Sequence, residues 1–254
     1  MTSAVAIRRG FTVHPDAWLA AILDRPAFRV DAVDTPSSGW RTRLESDDLF
    51  VTAKVGADQV ADARLLQDLG FRTIDAALTF EASAVTAPAV DPRVRFARAG
   101  DRAAVAQLAG SAFVFSRFHL DPAIPTWLAH RVKAAWADNF FAGKRGDGMV
   151  VAEHAGVVAG FLQLLWSPSD VLTIDLIAVA PRSARSGLAR AMIGFAAVNG
   201  VGDRRRPRGF RVGTQAANIP SVRLYESLGF RLSQAQFVLH HHGRGGPYLP
   251  RAAT

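Results

Sequence analysis

The residues best placed to do chemistry lie in two short stretches of the C-terminal half. One runs Val212-Gly-Thr-Gln-Ala-Ala-Asn218 and continues through Ile219-Pro-Ser-Val-Arg-Leu-Tyr225 to Gly229-Phe230. Asn218 is a residue type that caps helices, its side-chain oxygen accepting a backbone N–H of the first turn. Tyr225 follows seven residues later, two helical turns on, and so shares a face with Asn218. The other stretch is Ile174-Asp-Leu-Ile-Ala-Val-Ala-Pro-Arg-Ser-Ala-Arg-Ser-Gly-Leu-Ala-Arg190. It reads as a buried strand ending at Val179, a loop opened by Pro181, and a helix starting around Gly187. Free N–H groups at such a helix start, with the helix dipole behind them, suit a diphosphate. Gly187 allows close backbone approach, and Arg182 and Arg185 add positive charge.

Alternating strand and helix patterns surround these stretches and must position them. Strands are expected at Val94–Ala97, Met149–Glu153, Val157–Trp166, Leu172–Val179, Arg208–Thr214 and Arg231–His240, with Ala155-Gly156 turning between the second and third. Helices are expected at Asp101–Ser111, Pro122–Asn139 (interrupted early by Pro125), Gly187–Asn199 and Ile219–Leu228. That order implies an α/β or α+β mixed sheet flanked by helices. The Pro-punctuated, aperiodic stretch 83–92 reads as a linker between an N-terminal part, 1–82, and a C-terminal domain, 93–242. The Gly-rich run 243–254 reads as a flexible tail. Arg64-Leu-Leu-Gln-Asp-Leu-Gly-Phe-Arg72 echoes Arg223-Leu-Tyr-Glu-Ser-Leu-Gly-Phe-Arg231, with Leu66 standing where Tyr225 stands. Either Gly simply ends both helices in the same way, or the N-terminal part is a degenerate copy.

Composition bounds the class. Hydrophobic residues at 49% and charged residues at 20% describe a folded globular chain. With no cysteine there are no disulfides or thiolate metal sites, and no export signal or membrane span is read, so a cytoplasmic enzyme is expected. The net charge of +8 suits a polyanionic ligand, but the arginines form no basic stripe, and neither nucleic acid nor membrane is an expected partner. The cluster Arg204–Arg206 with Arg208 reads as a solvated turn near enough in sequence to the 187–199 helix to touch a phosphate. His240, His241 and His242 alternate across a strand, so all three cannot share one ion and no metal is expected.

The two stretches resemble the GCN5-related N-acetyltransferase superfamily. Val179-Ala-Pro181 followed by Ala184-Arg-Ser-Gly-Leu-Ala189 is similar to its coenzyme A motif, with Ala184 departing from the usual Gln or Arg. Asn218 through Tyr225 to Gly229-Phe230 is similar to its second motif. The resemblance implies an acyl-coenzyme A N-acyltransferase fold and acetyl-coenzyme A as co-substrate. It implies cofactor contacts from Ile177, Ala178, Val179, Arg185, Ser186, Gly187, Leu188, Ala189, Asn218 and Tyr225. The implied chemistry is direct acetyl transfer to a neutral amine. A backbone N–H at the end of the 174–179 strand stabilises the oxyanion, a contribution of about 3 kcal/mol in comparable sites. Tyr225 is then the catalytic acid; a phenol of ordinary pKa, about 10, matches a leaving thiolate of similar basicity. Asp175, Glu153, His119 and His154 are the candidate bases, and solvent is the alternative.

Within the superfamily the chain is most similar to nucleotide-sugar acetyltransferases of the TDP-fucosamine type. Leu66–Phe71, Asp101–Phe118 and Val212–Asn218 carry that likeness, the triplet Ser116-Arg117-Phe118 above all. It implies an acceptor-site loop in which Arg117 and His119 bind substrate. Ala21–Arg29 lacks the aromatic-Phe-Gly signature of those enzymes. A protein or another small amine as acceptor, a non-catalytic acyl-coenzyme A sensor, and a homodimer remain among the readings.

Overall fold

A computed structural model describes residues 11–33, 37–86, 91–201, 207–245 and 248. The described residues form two compact units, one drawn from the stretches 1–76, 121–125 and 235–254, the other from 77–120 and 126–234. The linear reading had instead kept everything from 93 to 242 together. The chain passes from one unit to the other within two strands, which the sequence pattern had no means of marking.

In the first unit β1 (Thr12–Pro15) runs antiparallel to β2 (Ala27–Ala32), with α1 (Ala17–Leu23) between them. Asp16 starts α1 by accepting the Leu19 N–H at 2.9 Å. Next, α2 (Ser38–Ser46) crosses over to β3 (Phe50–Gly56), which lies parallel to β2. Helix α3 (Val60–Asp68) follows and packs Ala63 and Leu66 into a core with Val30, Leu49, Val51 and Phe71. The chain leaves through β4 (Arg72–Ala82), and the last strand, β10 (Arg231–His242), returns Gln236–His242 antiparallel to β3.

The second unit contains the rest of β4, followed in sheet order by β9 (Gly209–Gln215), β8 (Val171–Val179), β7 (Val157–Trp166), β6 (Gly148–His154) and β5 (Val94–Phe96). Only β8 and β9 are parallel; the other neighbours are antiparallel. Helices α4 (Arg102–Ala112) and α5 (Thr126–Phe141) share one core with Met149, Val151 and Phe161. Helices α6 (Leu188–Asn199) and α7 (Ile219–Ser227) share the other with Val150, Leu162 and Phe80. The mixed α/β sheet flanked by helices therefore stands as expected.

One expected helix starts later than its pattern suggested. Pro122–Pro125 is a turn, and α5 begins at Thr126, because the residue before a proline is driven out of helical geometry. After His242 only residues 243–245 and 248 are described, and Gly243 and Tyr248 both make contacts. Gly243 N–H donates to the Leu49 carbonyl at 2.8 Å, and the Tyr248 ring is buried beneath the Arg25 guanidinium at 3.8 Å.

The echo between the halves extends to geometry. Gly70 (φ +88°) and Gly229 (φ +90°) both adopt the left-handed conformation that ends a helix. Phe71 and Phe230 then donate their N–H groups to Leu66 and Tyr225 carbonyls, both at 3.0 Å. Element order repeats as well once α1, which has no counterpart between β7 and β8, is set aside: β1-β2-α2-β3-α3-β4 matches β7-β8-α6-β9-α7-β10. In both runs the first two strands are antiparallel and the second and third are parallel.

Candidate active site

The site begins with an irregularity in β8. Its residues alternate buried and half-buried from Val171 to Val179, as one uninterrupted strand would. Yet Leu172 and Ile174 join the α6/α7 core, whereas Leu176 and Ala178 join the α4/α5 core. Residues two apart can face opposite ways only if one extra residue intervenes. That residue is Asp175: Ile174 pairs with Leu164 of β7 and Leu176 with Gln163, leaving Asp175 as a bulge.

The bulge coincides with the end of the parallel ladder. Strands β8 and β9 pair from Val171–Gly209 to Ile174–Val212 and no further, although β8 continues to Val179 and β9 to Gln215. Backbone groups on the β9 side of residues 175–179 therefore lack a strand neighbour. Alternation in an antiparallel pair tells which groups these are. The Ala180 N–H donates to Ala159 of β7 at 2.7 Å, so the Ala178 N–H also points to β7. The N–H groups of Ile177 and Val179 point the other way, into the opening. Of the three residues expected to contact the cofactor on this strand, Ala178 has its amide N–H turned into the sheet, while those of Ile177 and Val179 face the opening.

Beyond Val179, a 3-10 turn at Pro181–Ser183 leads to Arg185, whose φ of +62° is unusual for a residue with a side chain. Gly187 (φ +81°) is the N-cap of α6 and offers no side-chain cap. Ala191 N–H makes the first helical bond to the Gly187 carbonyl, which leaves the N–H groups of Leu188, Ala189 and Arg190 without helical acceptors. A Cβ on Gly187 would meet nothing within 4 Å, so this backbone borders open space. The Leu188 side chain is buried, and the Ser186 hydroxyl donates to the Ser183 carbonyl at 2.5 Å. Both side chains secure the loop, leaving their backbone as the available group. The Ala184 position is exposed, and Arg93, unnoticed in the sequence, reaches the Ser186 carbonyl at 3.5 Å while paired with Asp91. Residues 204–206 of the expected basic cluster lie outside the described residues.

The second motif is tied to the first by Arg190, whose guanidinium donates to Ser227 at the end of α7. Asn218 is the N-cap of α7 and accepts the Ser221 N–H at 3.4 Å, as expected of its residue type. Tyr225 is 2% exposed, packed against Phe80 and Phe230 with ring centroids 6.1 and 5.7 Å away. Burial holds its phenol well above the usual tyrosine pKa, with the Ser221 hydroxyl bond only partly offsetting this. The expectation of an ordinary pKa is therefore corrected. A phenol that resists ionisation donates a proton only if another is returned to it promptly.

The four candidate bases are each engaged. Asp175 accepts from Trp136 Nε1 at 2.9 Å, Arg145 Nε at 2.8 Å and Nη2 at 2.6 Å, and Gln163 Nε2 at 3.0 Å. Glu153 is held by Arg95 at 2.6 Å, and His154 Nδ1 lies 2.9 Å from the Ser183 hydroxyl. His119 Nδ1 lies 2.6 Å from Ser116, and its pKa is pulled down to about 4, first by burial and then by His130 and Lys133. It is neutral at physiological pH and a weak base. Its Nε2 is buried without a hydrogen-bond partner among the described residues.

Around His119 the structure collects His130 and Lys133, which the sequence reading did not single out, beside Arg117, which it did. His130 lies against the His119 ring at 5.1 Å, and Lys133 sits between Phe113 and Trp136 at 4.7 and 4.8 Å from their ring centres. Arg117 lies over Phe118 and is near enough to repel Lys133. Helical spacing links His130 to Lys133 in the sequence, but only the fold carries them to residues 116–119.

Two tests arise from these groups. Burial, with repulsion from Arg117, pulls the Lys133 pKa from 10.5 down to about 8. Between those values the unfolded chain binds the extra proton, so folding stability rises with pH across this window and the penalty is complete below it. Lys133→Met is therefore expected to be more stable than the parent at pH 7, by on the order of 2–3 kcal/mol, with the difference closing by pH 10.5. Urea midpoints at both pH values measure this, and parallel pH profiles would contradict it. Asp175→Ala strands the Trp136 and Gln163 donors beside an unpaired Arg145. A loss of about 3 kcal/mol is expected in urea unfolding at pH 7; a loss below about 1 kcal/mol would mean that the bulge is not held by this carboxylate.

Comparison with known proteins agrees with this geometry. Residues 113–230 match the profile of the Acetyltransferase (GNAT) family. The chain is 32% identical over 144 residues to the spore coat polysaccharide biosynthesis protein SpsD of Bacillus subtilis (strain 168), an alignment covering 56% of this chain and 47% of that protein. It thus spans about half the length of that curated relative. In fold it is similar to a GCN5-related N-acetyltransferase from Kribbella flavida, with a TM-score of 0.57 and 16% identity over 93% of this chain and 88% of the other. It is also similar to a tandem GNAT protein from the clavulanic acid biosynthesis pathway, at TM-score 0.55 and 13% identity over 89% and 76% of the two chains. The stretch that matches the acetyltransferase (GNAT) family profile, residues 113–230, holds the bulged strand, the uncapped helix and the Asn218–Tyr225 motif.

Proposed function

We propose that this chain transfers an acetyl group from acetyl-coenzyme A to a primary amine, and that the amine belongs to an amino sugar carried on a nucleotide. The observation that carries the transferase reading is the coincidence of three features at one sheet opening. The β8–β9 ladder stops after Ile174, the N–H groups of Ile177 and Val179 turn into the gap, and the uncapped start of α6 follows eight residues past Val179 at Gly187. Acetyl-coenzyme A, when bound, supplies the thioester carbonyl that the amine attacks. The backbone from Arg185 to Ala189 holds its diphosphate, and Asn218, whose oxygen is committed to capping, has its amide N–H₂ to offer the pantetheine arm. The N–H of Ile177 or Val179 steadies the negative charge that develops on oxygen. Tyr225 donates its proton to sulfur and, being buried, recovers one from the attacking amine.

The sugar-nucleotide acceptor is supported by the match to a polysaccharide biosynthesis protein and by the cations Arg117 and Lys133 near His119. Such a group suits an acceptor bearing phosphate. A degenerate origin for the N-terminal part is supported by the repeated element order, with Leu66 replacing the tyrosine.

A thiol-release assay with acetyl-coenzyme A tests the proposal. Nucleotide-linked amino sugars should raise the rate at least about 100-fold over the corresponding free amino sugars. Release supported only by peptides or polyamines would overturn the acceptor assignment. Tight binding of acetyl-coenzyme A with no release for any amine would favour an acyl-coenzyme A sensor.

A further inference from the structure

Three side chains far apart in sequence meet in the first unit. His240 and His242, two apart on β10, project to the same face, and the turn 121–125 brings Asp121 to them. Asp121 Oδ2 lies 2.6 Å from His240 Nδ1 and 2.8 Å from His242 Nε2. Its Oδ1 is occupied by the Ala123 N–H at 2.9 Å, which orients the other oxygen. His241, on the opposite face, instead donates from Nε2 to the Leu44 carbonyl at 2.8 Å.

The group is also rigid and dry on one side only. Phe50 packs against the His240 and His242 rings at 4.9 and 5.0 Å. The side chains of His240 and Asp121 are 0% and 2% exposed, whereas His242 is 20% exposed. Among the described residues no lysine or arginine pairs with the buried carboxylate. On the far side of His242, Nδ1 lies 3.3 Å from the Tyr248 hydroxyl, the kind of outer partner that sets the tautomer of a metal-bound imidazole.

We propose that Asp121, His240 and His242 form a mononuclear site for a divalent transition metal of the zinc class, with its remaining position open to solvent beside His242. Two imidazoles and one monodentate carboxylate are the donor set that zinc takes in three-ligand sites. The three ligand atoms already lie within 4.8 Å of one another. Bonds of about 2.0–2.1 Å in a tetrahedral arrangement place neighbouring donors about 3.3 Å apart. The two N···O separations of 2.6 and 2.8 Å thus widen by roughly half an ångström on loading. The ion neutralises the buried carboxylate and pins the 121–125 turn, which connects residues 116–119 to α5, onto β10.

The test uses the tag-free 254-residue chain stripped with chelator and titrated calorimetrically with zinc chloride. One saturable equivalent per chain is expected, with roughly a 5 °C rise in Tm at a hundredfold excess over Kd. His242→Ala, at the exposed corner, should weaken binding at least about 100-fold, and Tyr248→Phe about 10-fold. His14→Ala, at a histidine outside the cluster, should bind as the parent does. Asp121→Asn, checked for native circular dichroism, should lose the site while keeping the fold. Absence of a saturable equivalent below about 100 µM, or an equivalent that survives both His242→Ala and Asp121→Asn, would show that two imidazole N–H bonds to the carboxylate are all the cluster makes.

Discussion

Replacing Tyr225 by phenylalanine should lower kcat for acetyl transfer at least 100-fold while leaving the affinity for acetyl-coenzyme A within about twofold. The ring is 2% exposed between Phe80 and Phe230, so phenylalanine fills the same volume, and the loss of one hydrogen bond to Ser221 costs about 1 kcal/mol of stability. The fold survives and only the proton donor is removed. The effect is large because the alternative donor is water, which the packed surroundings of Tyr225 keep out. Burial also holds the phenol protonated to high pH, so the parent should show no alkaline fall in kcat from this group below pH 10. If kcat of Tyr225→Phe stays within threefold of the parent, Tyr225 is a core residue and the acid lies elsewhere. Single-turnover rates with saturating acetyl-coenzyme A separate the chemical step from product release.

Gly187→Asp should raise the Kd for acetyl-coenzyme A about 100-fold, equivalent to about 2.7 kcal/mol. Gly187 sits at φ +81°, where side chains are generally strained, but aspartate is among the few that adopt this region. A Cβ there meets nothing within 4 Å, so the fold tolerates the change. What changes is the field at the start of α6. The helix presents unpaired N–H groups and positive dipole where the diphosphate is held, and a carboxylate both caps those donors and repels the phosphates. Gly187→Asn, of the same shape and without the charge, should weaken binding by no more than about 10-fold. Equal losses in the two variants would assign the effect to shape; no loss in either would remove α6 from the binding site. Isothermal titration with acetyl-coenzyme A measures both.

Much of the candidate site was legible because its chemistry is local. A helix-capping Asn218 and a Tyr225 two turns later need only one helix to share a face, and that helix forms at Ile219–Ser227. Gly187 at a strand–loop–helix junction likewise announced its conformation through its residue type. The acceptor-side cations were harder. Lys133 reads as an ordinary helix position, and its burial between Phe113 and Trp136 depends on residues from separate elements. Asp121 offered no signal at all; it is an aspartate before a proline, and its meeting with His240 and His242 spans more than a hundred residues.

The strand β8 shows where the division falls. Alternation of Leu172, Ile174, Leu176 and Ala178 determined that a buried strand forms, since side-chain direction has a period of two whatever the neighbours are. A strict period of two would put those four residues on one face. Only the register against β7, with Asp175 bulged out and tied to Trp136, Arg145 and Gln163, decided that they divide between two cores and that the ladder to β9 opens. Periodicity and caps are properties of neighbouring residues, so the amino-acid order by itself determined the elements and the two motifs. A bulge, an ion pair between distant strands and helices, and a buried histidine–aspartate group depend on which segments pack together, and that was decided by the tertiary structure alone.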